Sequence, residues 1–251
     1  MDITGNAIIF GGATALAFTQ SGSTGLLITD INLQAAKSPG FQAEAVEVDV
    51  QLQESVDSAF KQIVESFRRI DYYVTCAVRT PRPTADAVVS EFINAQNFNV
   101  TGTFFVIRAS LAIMRLQKPR PNLPDLPSRG NTRGAVVVLG SALSIGAAPF
   151  FVQYTISKHA VLGLVKTAAL DSVKDDIRVN CVCPTWVESN ITKELERDIP
   201  GTGAQMGPGI PMGRLGRPKE IADVVLLLCS PRASLITGAL LGKWVLSAAR
   251  Q

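Results

Sequence analysis

The sequence predicts an α/β chain folded as a single domain over residues 1–251: a doubly wound parallel sheet with helices on both faces. Three observations carry this. Short apolar runs of strand length recur along the chain and alternate with longer stretches in which apolar residues return every three or four positions. Hydrophobic residues make up 47% of the chain and charged residues 18%, a balance that allows a large core. No Pro/Gly-rich linker falls where both halves would keep a core of their own.

Taken in order, Ala7 to Phe10 is the first apolar run and ends in Gly11-Gly12, and Gly25 to Thr29 is the second and ends in Asp30. Residues 11–24 exceed the roughly 10 to 12 that a crossover between parallel strands needs, so the unit closes with a helix of about two turns. A strand-end aspartate such as Asp30 either caps the next turn or offers its carboxylate to a ligand's hydroxyls. The third run, Ala43 to Val48, is followed by Asp49. Leu52 to Arg69 places Val56, Phe60, Ile63, Val64 and Phe67 on one face of an amphipathic helix, and Asp71 to Ala77 is the fourth strand. Ser90 to Gln117 reads as one long helix. Lys118 to Arg133 holds four prolines and reads as an exposed loop. Ala135 to Leu139 is a buried strand, and from Tyr154 a helix carries Ile156, Ala160, Val161, Leu164 and Ala168 on its buried face. After the strand that begins at Ile177, residues 190–217 gather glycines and prolines and read as a mobile lid. Lys219 to Cys229 is the last helix, and a final strand follows.

The chemistry sits between the two buried strands of the second half. Ser141 lies just past a strand end, Tyr154 thirteen residues on, and Lys158 four further. Residues four apart on a helix lie one turn above each other, so the Lys158 ammonium is in reach of the Tyr154 phenol. A free tyrosine, with a pKa of about 10, is a poor base at neutral pH; a fixed cation in a site shielded from water favours the phenolate. A hydroxyl at the strand end points into the same cleft. The three side chains together make a proton donor and a carbonyl polariser.

With the strand Ile177-Arg-Val-Asn-Cys-Val-Cys-Pro184, this Ser, Tyr and Lys spacing resembles the short-chain dehydrogenase/reductase family, and the resemblance covers nearly the whole chain. It implies a Rossmann-type fold and an NAD(P)-dependent oxidoreductase that interconverts an alcohol and a ketone. Ser141 would hold the carbonyl oxygen, Tyr154 would pass the proton, and Lys158 would assist the tyrosine and bind the ribose. Asn99, within Phe98-Asn-Val-Thr-Gly102, would hold the water that completes the relay. On the cofactor side the resemblance places Gly11 and Gly12 at the pyrophosphate and Asp30 on the adenosine ribose, where a carboxylate repels a 2′-phosphate and favours NAD over NADP. Asp49 would lie beside the adenine amino group, Thr75 where backbone approaches the cofactor, and Val187 and Ser189 at the nicotinamide carboxamide. Family members pair through the helices carrying Asn99 and Tyr154, which implies a homodimer or homotetramer.

The family writes Thr-Gly, three residues, then Gly-x-Gly after the first strand; here Phe10-Gly-Gly-Ala-Thr-Ala-Leu-Ala-Phe18 lacks the later glycines, and Val78 replaces another. These departures face the cofactor, while the proton-transfer residues remain. They leave an alternative open: a non-redox protein of the same fold, either a cofactor-independent isomerase or lyase or a binding subunit. Phe150, Phe151 and Trp186 favour a bulky, apolar ketone as substrate over a sugar.

Composition narrows the partners. The net charge is +3 with scattered basic residues, which gives no electrostatic footprint for nucleic acid. Cys76, Cys181, Cys183 and Cys229 lie in apolar segments and His159 is the single histidine, so core thiols are expected rather than a disulfide framework or a metal site. The start, MDITGNAIIF, lacks a basic leader, and no apolar run reaches membrane length. The expectation is a soluble cytoplasmic protein, with no membrane or nucleic-acid partner, acting on a small molecule.

Overall fold

The computed structural model describes residues 6–9, 14, 18, 20–21, 25–28, 42–75, 83–198, 201, 206 and 210–242. Among these, seven strands form one parallel sheet: β1 (Asn6–Ile9), β2 (Gly25–Ile28), β3 (Gln42–Ala45), β4 (Tyr72–Thr75), β5 (Gly134–Leu139), β6 (Ile177–Val182) and β7 (Leu240–Leu241). Their order is β3-β2-β1-β4-β5-β6-β7. The chain runs outward from β1 to β3, then crosses back to β4 on the other side of β1. That reversal leaves a crevice at the carboxyl ends of β1 and β4. Asn6 to Ile9 pair in parallel with Gly25 to Ile28, so the short first crossover does close.

Strand alternation builds two cores. Val136 and Val138 of β5 and Val179 and Cys181 of β6 pack on one face against α1 (Gln53–Phe67), against α3 (Gly102–Met114), which follows α2 (Val89–Gln96), and against α4 (Val152–Ser172). Ala135, Val137 and Val182 point to the other face. There they meet Phe18, whose ring lies 5.5 Å from that of Tyr72, and the helix Pro218–Cys229, which is α6 after α5 (Asn190–Asp198). Val136, Val137, Val138 and Val179 are wholly buried, each such side chain contributing about 1.5–3 kcal/mol. Burial on both faces is why these strands read as unbroken apolar runs.

Three expectations change. The predicted long helix is α2 and α3 joined by a π turn, Asn97–Thr101. On α4, Ile156 and Ala160 are exposed rather than buried; the inward face is Ser157, Lys158, Val161, Leu162, Val165, Ala168 and Ala169. This helix carries apolar residues nearly all round, so periodicity alone does not choose the face; Gln153 and Ser172 are buried as well, and Ser157 and Lys158 turn inward to partners there. The loop expected at Lys118 to Arg133 is pinned. Arg120–Pro121 pairs antiparallel with Asn131–Thr132, and Asn122, which is buried, donates from Nδ2 to the Arg129 and Asn131 carbonyls. Among the described residues, no helix is long and apolar enough to cross a membrane, and no group of three or more His, Cys, Asp or Glu side chains gathers to hold a metal ion.

Candidate active site

The carboxyl ends of β5 and β6 assemble the candidate catalytic side chains. Past Leu139 and Gly140 the chain turns into a short 3-10 helix, Ala142–Ser144, with Ser141 as its cap. Ser141 Oγ accepts from the Leu143 N–H at 3.2 Å, and Ser144 Oγ accepts from the Ser141 N–H at 3.1 Å. This reciprocal pair fixes the turn. It also occupies the Ser141 oxygen as an acceptor while its hydroxyl proton has no acceptor among the described residues, so the group is set to donate.

Leu143 and Phe151 bring that turn against Tyr154. They share one apolar cluster with Tyr154 and Trp186 and with Leu195, Met206 and Leu215 from the segment 190–217. Phe151 and Trp186 meet edge to face at 6.3 Å, whereas Phe150 is exposed, at a positive φ of 70°. One turn along α4, Lys158 is 2% exposed, and its ammonium lies 5.5 Å from the centre of the Tyr154 ring. Its Nζ donates to the Leu139 carbonyl at 2.7 Å. That single bond accounts for one of three N–H groups, and no described residue takes the others.

Asn99 stands behind this pair. It is buried within the π turn, and its Nδ2 donates to Ser157 Oγ at 2.9 Å; Ser157 Oγ in turn donates to the Tyr154 carbonyl at 2.8 Å. The Thr103 hydroxyl closes on the Asn99 carbonyl at 2.6 Å. A π turn holds one more residue than an α turn, and here it aims the amide at the neighbouring helix.

Beneath Ser141, Cys181 and Cys183 project from the same face of the β6 chain, with their sulfurs 3.5 Å apart. A side chain at Gly140 would meet these sulfurs at 2.7 and 2.6 Å and Ser144 Oγ at 2.9 Å, so only glycine fits there. A hydrogen bond from the Cys181 thiol, helped by the Ser144 hydroxyl, the Ser141 N–H and the Lys158 charge, outweighs burial and holds Cys183 at about 7. The same contact, together with burial, pushes Cys181 well up. Three cysteines, Cys181, Cys183 and Cys229, are buried and free, as expected for core thiols.

The remaining predicted positions are more dispersed. Asp49 follows β3, exposed, and its Oδ1 accepts from the Gln51 N–H at 2.9 Å, which gives it a local turn-forming role. Val187 bridges in parallel to Gly216, and Ser189 exchanges hydrogen bonds with Thr192 at the start of α5. Thr75 is the last residue of β4, at the crevice edge. Gly11, Gly12, Asp30 and the Cys76 to Val78 segment lie outside the described residues. Sequence reasoning missed Ser144, Ser157 and the Leu139 carbonyl. Only Ser144 left a signal, as the fourth residue of a Ser-x-x-Ser cap.

Sheet order and the crevice at the strand reversal define a doubly wound, Rossmann-type α/β fold, with a Tyr-Lys pair near the carboxyl end of β5. Residues 8–242 match the family model described as enoyl-(acyl carrier protein) reductase. The short-chain dehydrogenase fogB of Aspergillus ruber is 43% identical over 259 residues, covering 95% of each chain. The 3-oxoacyl-[acyl-carrier-protein] reductase FabG of Thermotoga maritima is 29% identical, covering 96% of this chain and 94% of its own. Among solved structures, a short-chain type dehydrogenase/reductase from Mycobacterium marinum superposes with a TM-score of 0.82 at 25% identity, covering 96% and 94%. An NAD+-bound xylitol dehydrogenase gives 0.81, also at 25%, covering 94% and 96%. The chain belongs to the short-chain dehydrogenase/reductase family, a family of NAD(P)-dependent oxidoreductases.

Proposed function

We propose that this chain interconverts an alcohol and a ketone on a small, apolar metabolite, with NAD or NADP as the hydride carrier. The observation that carries this is the buried Lys158 ammonium, tethered to the Leu139 carbonyl at the carboxyl end of β5 and set against Tyr154. The nicotinamide, when bound, supplies or receives the hydride. The residues do the rest. The Ser141 hydroxyl hydrogen-bonds to the carbonyl oxygen and keeps its proton, Tyr154 Oη delivers the one proton that turns this oxygen into an alcohol, and the Lys158 charge stabilises the phenolate left behind. The two N–H groups left on Lys158 suit ribose hydroxyls. Asn99, fixed through Ser157, supports the relay from behind. Phe151, Trp186 and Leu195 give the substrate side an apolar wall, which supports an apolar ketone.

A dinucleotide would lie at the reversal between β1 and β4, beside the end of β4 at Thr75. Gly11 and Gly12 would approach the pyrophosphate, Asp30 the adenosine ribose, Asp49 the adenine, and Val187 and Ser189 the carboxamide; Asp30 favours NAD. The exposed Ile156 and Phe104, on α4 and α3, support pairing into a homodimer or homotetramer.

The shortened glycine loop supports the second, non-redox reading. Losing two backbone hydrogen bonds to a pyrophosphate weakens binding by roughly two to four decades. Fluorescence titration with NADH and NADPH separates the readings. Low-micromolar NADH binding, with NADPH weaker and the gap narrowed in Asp30→Ala, supports the oxidoreductase; no binding of either supports the alternative.

A further inference from the structure

At the far end of β5 and β6 from Tyr154, a cavity of about 170 Å³ lies between the pinned segment 120–132 and the chain leaving α6, with Asp71, Tyr72, Arg120, Asn122, Arg178 and Pro231 in its wall. Two of these residues keep a buried polar atom with no partner: Nε of Arg178 and Oδ1 of Asn122. The side chains are 8% and 5% exposed.

The rest of each group is already committed. Arg178 Nη1 donates to the Leu228 carbonyl at 2.6 Å and the Ile236 carbonyl at 3.4 Å, and Nη2 donates to those of Cys229 and Ser230 at 3.2 and 3.3 Å. No carboxylate among the described residues pairs with it. Asp71, in the same wall, is held by Arg69 and by Arg120 at 2.8 Å. Asn122 has its amide fixed, because both acceptors of Nδ2 are carbonyls, at 3.0 and 2.8 Å. The atom left over is therefore an acceptor. One wall thus offers a charged donor and a neutral acceptor, inside a net cationic lining. Water would satisfy the hydrogen bonds but not the charge.

We propose that this cavity binds a small oxyanion that retains one O–H, of the hydrogencarbonate or hydrogenphosphate type, its charged oxygen accepting from Arg178 Nε and its hydroxyl donating to Asn122 Oδ1. The site is independent of the redox reading, and nothing in it requires a dinucleotide.

The test is a series of thermal-unfolding titrations at one ionic strength with hydrogencarbonate, phosphate, sulfate and chloride. A saturable rise in Tm with hydrogencarbonate, phosphate or both supports the site, and the better of the two identifies the source. Sulfate, which has no O–H at neutral pH, binds more weakly by roughly tenfold or more. Asn122→Leu removes the preference over sulfate, and Arg178→Lys weakens binding by roughly ten- to a hundredfold. Should either variant fail to fold, wild-type crystals soaked in arsenate decide the matter through arsenic's anomalous signal. An arsenic peak whose arsenate oxygens lie within hydrogen-bond distance of both atoms upholds the proposal. Ordered water alone in the cavity, or the same response to all four anions, overturns it.

Discussion

Lys158 and Arg178 are both buried cations without a carboxylate partner among the described residues, and they sit at opposite ends of the same two strands. Lys158 is tied by one carbonyl, that of Leu139, at the carboxyl end of β5. Arg178, near the start of β6, is clamped by four, three of them at the carboxyl end of α6, where the helix dipole favours a cation. A cation held at one point keeps donors to spend on a ligand and can follow a reacting group. One held at four points fixes the chain around it. Under the proposed function the same desolvated charge serves chemistry at one end of the sheet, while at the other it fixes architecture and keeps only Nε for a ligand.

Substitutions at each end break this contrast if they produce the other end's phenotype. The largest effect is expected at Tyr154. Tyr154→Phe keeps the ring in its apolar cluster and removes the proposed proton carrier, so turnover is expected to fall by on the order of 10² to 10⁴ with the unfolding midpoint nearly unchanged. Retained turnover would show that the reacting proton passes elsewhere. At the far end the pattern reverses. Arg178→Met strands the carbonyls of Leu228, Cys229, Ser230 and Ile236 and lowers stability by about 3 kcal/mol in urea unfolding, while activity per folded molecule stays close to wild type.

Gly140→Ala lies between the two. Its new methyl presses on both sulfurs and on Ser144, which costs about 1–3 kcal/mol and shifts Ser141; Cys183→Ala in the same chain restores part of the loss. Additive losses in the double variant would show that the crowding is elsewhere. The smallest effect is one of slope. Burial raises the Cys229 thiol from 9.0 to about 12, so its contribution to stability is intact below pH 9 and is lost as pH rises toward 12. Cys229→Ala should flatten the fall of the urea midpoint across that window, whatever its effect at neutral pH.

The sequence makes these two ends unequally legible. Tyr154 and Lys158 stand out because a helix converts a spacing of four into a contact. Ser141 stands out because it follows an apolar run that is buried on both faces. The partners that position them leave little trace: a backbone carbonyl such as that of Leu139 has no letter of its own, and Ser157 is a common residue in a common place. Arg178 is harder still, since a charged residue in a strand gives no sign that it will be enclosed by carbonyls distant in sequence. On α4 periodicity places Val161 and Ala168 inward as found but also Ile156 and Ala160, which are exposed, because apolar residues surround the axis and the face is set by what Ser157 and Lys158 bond to.

The π turn at Asn97–Thr101 bears on how this chain tolerates change in length. It is a one-residue surplus wound into an otherwise regular helix. Removing one residue there would let α2 and α3 join as a continuous α-helix, with every backbone bond remade. Yet each residue advances a helix by about 100°, so α2 would be rotated by that amount relative to α3. Asn99 would swing away from Ser157, and the Gln96 side chain, which donates to the Gln153 carbonyl at 2.9 Å, would lose the start of α4 as well. A deletion that regularises the helix therefore uncouples it from the helix bearing Tyr154, and the irregular turn is what sets the two in phase.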